Sequence, residues 1–458
     1  MPHVLGKIDQ PHKLFERHRI AADPAEIFFS FSYRAHYLSE EMPLELFALC
    51  KFSRGAQGEP DYAAFITASE QQAQEISELC ESSSFSEIVD SLALAVVRFS
   101  EALPLETVDV PKPWGKEIWY TGIEKRGVCK ILGMPLPWLS AIYPGLFSAE
   151  PTKLPNLSSD DPILLKILAP SGEEVLGDLY FELHTEKIEV YVITHIDATA
   201  WPTGVAKMRY GFNQKKLAAF ENREQFTTAY LAAVNEYKSV RDTIDQTLAS
   251  RRAAEGFTQE DVLPTDIALA WQHQLPDTLT LKEKTLREKM EAFTGTREVV
   301  VGDVIEVERL TPHSLQHGIR AIEFQSPHYE RFILSFAQKV LTQSHWDTQS
   351  AMTLARFDPI TSKPMRTLDA SEGTRVEIAA DFDSFQVQRL TFAPGAVHSV
   401  QNTSYSLVIG LVGETVLQSK TVTPEQAFFL TPEIKTVALS NHSDRESKVL
   451  IALPKPTG

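Results

Sequence analysis

Cysteine is scarce. Cys50, Cys80 and Cys129 are the only three in 458 residues, and none sits in a CxxC pair. An odd count without that spacing argues against a disulfide frame and for a reducing, cytoplasmic setting. Long apolar runs are missing too. The longest, such as Leu92 to Val97, fall far short of the roughly 20 residues a membrane span needs. Met1 to Arg19 carries charges every few residues and has no apolar stretch of the kind a secretory signal requires, so neither a leader nor a membrane partner is expected. Positive charge is in deficit: 44 Lys and Arg face 61 Asp and Glu, a formal net charge of −17. That field repels a phosphate backbone, so nucleic acid is not an expected partner, although a local basic pocket can still take a small phosphorylated ligand. No internal repeat or low-complexity tract stands out.

What is present is ordinary soluble-protein text, with 43% hydrophobic and 23% charged residues and length for two to four domains. From Asp23 to Ala102 the chain reads as helical. Ser69 to Leu79 lacks Gly and Pro, and Ser86 to Leu103 repeats apolar residues at helical spacing after a Ser-rich break. Residues 1–105 are therefore expected to form an N-terminal helical domain, a packing unit or a homodimer contact. Pro104, Pro111 and Pro113 then mark a change to short β-rich runs, among them Ile163 to Leu168, Asp178 to Leu183 and Ile188 to Ile193. Residues 213–297 return to helix formers, and Glu298 to Leu310 to strand. This predicts one β domain over 106–350, interrupted by a helical insertion at 213–297. Phe332 to Thr342 reads equally as helix or strand. Residues 351–458 read as a further β-roll. The expected fold class is mainly β with helical additions.

Two spacings carry chemistry. One is Gly177-x4-Glu182-x-His184-x4-Glu189, and the other is Gly302-x5-Glu308-x-Leu310-x2-His313. Residues two apart on a strand share a face, so Glu182 and His184 aim together while Phe181 and Leu183 face away. Glu189 opens the next strand after a short turn. Two imidazoles and two carboxylates make a donor set for a borderline divalent metal such as zinc. Glu182, His184, Glu189 and His313 are the expected ligands.

The paired segments resemble the two motifs of the cupin superfamily, and further features resemble the type I mannose-6-phosphate isomerases. Lys112-Pro113-Trp114-Gly115 resembles that family's proline-tryptophan-glycine strand. Pro162 to Leu168 resembles its leucine-rich strand with one lysine, Lys166. Lys187-Ile188-Glu189 resembles its lysine-x-glutamate. Pro312-His313, Gly318, Glu323-Phe324-Gln325 and the arginine of Tyr329-Glu330-Arg331 resemble its histidine, glycine, E-x-Q and arginine run. The resemblance covers roughly Pro111 to the C-terminus and implies two cupin (jelly-roll) domains, the second degenerate. It implies a zinc-dependent aldose–ketose isomerase acting on mannose 6-phosphate or a related sugar phosphate through an enediol. Lys187 and Glu323 are its candidate bases and Arg331 its oxyanion or phosphate holder. Lys166, Trp114 and Lys207 are candidate substrate contacts. Three departures accompany it. Glu182 stands where the family has glutamine, the loop before Lys187 is short, and the Ser-Asp before the family's arginine is replaced by Ser326-Pro327-His328. A catalytically divergent metal- or sugar-binding protein is therefore the alternative. An iron oxygenase is a third, with one carboxylate too many for the usual facial set.

Overall fold

Strand outweighs helix, 37% to 24%, and the architecture is mainly β. A computed structural model describes the chain apart from residues 22, 39–41, 56–57, 59, 150–160, 342, 361–363, 372 and 457–458. It divides into two units interleaved along the sequence. One comprises Met1–Val108, Trp119–Leu165 and Met365–Gly458, and the other Asp109–Ile118 and Lys166–Pro364.

In the first unit the expected helical N-terminus is corrected. Five strands (His3–Lys7, Ala25–Tyr33, Leu44–Arg54, Pro60–Thr67 and Val97–Arg98) form one sheet in that order, antiparallel except for its first pair. The reason lies in the side chains. Ala25–Tyr33 and Leu44–Arg54 are studded with Phe, Ile and Tyr, which suit a pleated, half-buried surface better than a helix. Among the described residues of this stretch, helix is confined to Pro11–Ala21, Glu70–Leu79 and Phe85–Ser91. Ser69 and Ser84 cap the last two, the second through a capping box with Glu87. The helical spacing expected to reach Leu103 stops at Ser91, and Ala93 takes a left-handed φ of 50°. Further along this unit, a nine-stranded and a four-stranded sheet share one core, drawn from residues such as Val376, Leu390, Phe392, Val408, Leu417, Val437 and Ile451.

The second unit is a double-sheet roll. Its six-stranded sheet runs Val304–Val307, Glu189–Ile196, Ile319–Gln325, Leu164–Pro170, Gly115–Trp119, Val108–Lys112. Its five-stranded sheet runs Thr294–Val299, Ala206–Phe212, His313–Ser314, Phe181–Leu183, Phe332–Ser335. Phe332–Ser335 settles the ambiguous stretch in favour of strand up to Ser335; residue 342 lies outside the described residues. Inward residues of both sheets (Leu168, Tyr191, Ile193, Met208, Ile305, Ala321, Ile333) and Trp114 make one core.

Helices Gln214–Leu217, Arg223–Ala254, Thr265–Gln272 and Asp277–Glu291 lie between two strands of the five-stranded sheet in sequence. The long helix starts at its cap Asn222 and buries Phe226, Tyr230, Ala233, Tyr237, Val240 and Ile244, a stripe at three- and four-residue spacing. Gly256, at φ 83°, follows its end. The stripe packs with Phe181, Leu183, Phe212 and Leu334, which are outward residues of the five-stranded sheet. Burying Phe181 and Leu183 under helices turns Glu182 inward.

Candidate metal centre

Register brings the two motifs together. Strand His313–Ser314 lies between Phe181–Leu183 and Ala206–Phe212, with Glu182 opposite His313 and His313 opposite Tyr210. Glu189 comes from the facing sheet, opposite Gln325, and Tyr191 stands opposite Glu323. One ligand atom each from Glu182, His184 and His313 lies within 4.8 Å of the other two. Glu189 joins them: its Oε1 is 2.6 Å from His313 Nε2 and 3.5 Å from His184 Nε2.

Both imidazoles have their tautomer set by the backbone. His184 Nδ1 is 2.8 Å from the carbonyl of Glu330, and His313 Nδ1 is 2.9 Å from the carbonyl of Thr311. A carbonyl only accepts, so each Nδ1 donates and each Nε2 is left facing the centre. These two Nε2 atoms and Glu182 Oε2 are buried, with no hydrogen-bond partner among the described residues. His313 Nε2, whose ring partner Nδ1 already donates to a carbonyl, lies 2.6 Å from a Glu189 carboxylate oxygen, close enough for both to share one cation. Imidazole nitrogens anchored through Nδ1, with two carboxylates, suit a divalent metal. The residues present fit such an ion.

The electrostatics agree. Burial pushes the Glu182 carboxyl up, but His184, Arg331 and Lys187 outweigh it and hold it below the usual value. Burial likewise opposes ionisation of Glu189, and Lys187, His184 and His313 hold it well below. Burial, aided by Lys187, lowers the His184 imidazole toward the neutral form that a metal needs. Burial raises Glu323 well above the usual range; Lys166 opposes this and Glu189 adds to it.

The cations surround the acids. Lys187 Nζ is 2.9 Å from Glu189 Oε2, and Lys166 Nζ is 3.2 Å from Glu323 Oε2 and 3.9 Å from Glu117 Oε1. Arg331 Nη1 is 4.0 Å from Glu182 Oε2, and its guanidinium lies 4.8 Å from the Tyr180 ring centre. Glu182, His184, Glu189, His313, Lys187, Glu323, Lys166 and Arg331 are thus linked into one constellation. Lys207 is not among them. Ala206 and Met208 point into the core, so alternation turns Lys207 out to solvent. Its expected substrate contact is thus not part of this constellation. Trp114 is fully buried within the apolar core.

The overall comparison agrees at the level of architecture. No family model matches the chain, and no curated protein matches it. Among solved structures it resembles mannose 6-phosphate isomerase from Bacillus subtilis, with a TM-score of 0.52 and 13% identity over 77% of this chain and 99% of that one. It also resembles two mutant forms of phosphomannose isomerase from Salmonella typhimurium, each with a TM-score of 0.50 over 78% of this chain and 100% of theirs, at 13% and 14% identity. The chain shares the fold of these isomerases.

Several residues at the site escaped the sequence reading. Tyr191 donates to Glu189 Oε1 at 2.7 Å; its place two residues beyond Glu189 was the available signal. Lys112, 3.3 Å from Glu117, extends the row of buried charges that runs through Lys166 to Glu323. Glu330, read only as the neighbour of Arg331, contacts four consecutive residues, 184–187. Glu308, prominent in the second spacing, pairs instead with Arg356 at an exposed position.

Proposed function

We propose that this chain is a divalent-metal-dependent aldose–ketose isomerase, interconverting mannose 6-phosphate or a related sugar phosphate with its ketose through an enediol. One observation carries the reading: two backbone-anchored imidazoles and two carboxylates converge beside Lys187, Glu323 and Arg331, inside a fold shared with phosphomannose isomerases. Glu182, His184, Glu189 and His313 would hold the ion, with zinc favoured by the nitrogen and oxygen donors. When bound there, the ion supplies Lewis acidity toward the substrate oxygens.

The protein residues supply the rest. A base takes the proton from C2 of the aldose and returns it to C1 of the enediol. Lys187 and Glu323 are the two candidates. Arg331, on the Glu182 side, offers a planar donor fork to the enediolate or the phosphate. Lys166 balances Glu323 from behind. Burial of His184, Glu189, His313, Glu323 and Lys166 lowers the local dielectric, which strengthens the contacts among them.

The test joins metal analysis of the purified chain to a coupled assay for fructose 6-phosphate. The expected result is about one equivalent of metal per chain and an activity lost on chelation and restored by metal. Absence of metal, or no isomerisation of any hexose or pentose phosphate, overturns the proposal. A second reading, a metal- or sugar-binding roll without turnover, is favoured by the added negative charge of Glu182, which should tighten metal binding while weakening Lewis acidity. Arg331→Ala separates the two. An isomerase loses about a hundredfold or more in turnover, as when one oxyanion donor is removed, whereas a binder loses affinity alone.

A further inference from the structure

The turn between strands Phe181–Leu183 and Glu189–Ile196 is short, and its backbone N–H groups need partners outside the sheet. One side chain supplies them. Glu330 Oε1 accepts from the N–H of Thr185 at 2.5 Å, Glu186 at 2.8 Å and Lys187 at 3.3 Å. Its Oε2 is 3.2 Å from Thr185 Oγ1. Consecutive N–H groups converging on one carboxylate form a backbone nest for an anion. The same residue's carbonyl accepts from His184 Nδ1 at 2.8 Å. Glu330 therefore grips residues 184–187 as a block, with its backbone on the imidazole and its side chain on the turn. The chain then continues into Arg331, which reaches toward Glu182.

We propose that Glu330 is a positioning residue. It clamps the ligand His184 and the turn carrying Lys187 onto the segment that carries Arg331, so that these groups are set before a metal or substrate arrives. The inference rests on the metal-binding reading and adds to it the group that fixes this turn. Removing the carboxylate leaves three N–H donors without their acceptor and frees the turn. The carbonyl on His184 stays in a side-chain variant, so the loss acts through the freed turn; loss of a group that holds a metal ligand in place typically costs about 10–100-fold in metal affinity.

The test uses the full chain, stripped with a chelator and titrated with Co²⁺ against a chromophoric competitor, with the visible d–d bands recorded. Glu330→Ala is expected to weaken Co²⁺ binding by about 10–100-fold and to shift the bands. Glu330→Gln, isosteric and still an acceptor through a neutral oxygen, is expected to fall between it and the parent. Glu186→Ala, which keeps its backbone N–H, is expected to match the parent and so exclude a simple effect of lost charge. Parent-like affinity and spectrum in both Glu330 variants overturn the positioning role and leave the metal reading standing. A parent that takes up neither Co²⁺ nor Zn²⁺ overturns both. Should the alanine variant fail to fold, the glutamine variant decides on its own.

Discussion

Arg209→Met cuts a buried knot beside the candidate site. Arg209 Nη2 is 3.3 Å from Asp178 Oδ2 and 2.7 Å from Glu291 Oε1, and His317 Nδ1 completes the cluster 2.8 Å from Asp178 Oδ1. Arg209 lies on the strand next to His313, opposite Ser314. Methionine keeps most of the stem and removes the charge. Stripping one partner from a buried pair costs about 3–5 kcal/mol. The sign of the pH dependence follows from Asp178. Burial pushes its carboxyl up, but His317 and Arg209 overcome this and hold it below its ordinary 3.8. Its stabilising contribution is therefore present above that value and lost as pH falls through the folded one.

In the variant, Asp178 can escape by taking a proton. From an ordinary value of 3.8, that costs about 4 kcal/mol at pH 7 and about 1.6 kcal/mol at pH 5. These figures are ceilings on its share of the penalty. Glu291, raised by burial against the pull of Arg209 and Arg287, follows the same trend from 4.5. Urea unfolding of the metal-free chain, followed by tryptophan fluorescence, should show a loss of about 3–5 kcal/mol at pH 7 and at most about half of that at pH 5. Adding Asp178→Asn and Glu291→Gln should recover most of it. Equal penalties at the two pH values, or no recovery, would refute the reasoning.

Two further outcomes follow from the site. His313→Ala removes one of two anchored nitrogens, and plasma emission analysis of the purified variant should find less than about a tenth of the parent's metal, since such sites require their full donor set. Lys207→Ala should leave metal content, KM and kcat within about twofold of the parent, because an exposed substitution away from the site changes little; a larger change in KM would return Lys207 to the substrate.

The convergence of Glu182, His184 and His313 was legible because two-residue periodicity ties side-chain direction to strand position, and Phe181 and Leu183 declare the opposite face. The helices between Gln214 and Glu291 were legible from their Ala, Leu, Glu, Lys and Arg content, with Gly256, Pro264 and Pro276 at the breaks between them. The strands at Ala25–Tyr33 and Leu44–Arg54 were misread, because the helical text of Ser69 to Leu79 and Ser86 to Leu103 was carried back over them, while tertiary burial of their Phe and Tyr residues decided for sheet. Lys207 faces away from the constellation because Ala206 and Met208 flank it on the inward face; that alternation was readable. Glu330 could not be found from local pattern. Its role depends on a turn some 145 residues earlier, and no spacing rule predicts which carboxylate meets which loop.

The antiparallel partnership of Glu182 with His313 has a consequence for the order of assembly. Between them lies a segment of roughly 130 residues, whose closure alone costs about 4 kcal/mol of chain entropy. A growing polypeptide that has emerged only as far as its helices holds three of the four proposed ligands, open and weak. In the proposed metal-binding reading, the donor set is complete only once the short strand at 313 lies between its two neighbours. On that reading, loading the ion would report that the roll has closed.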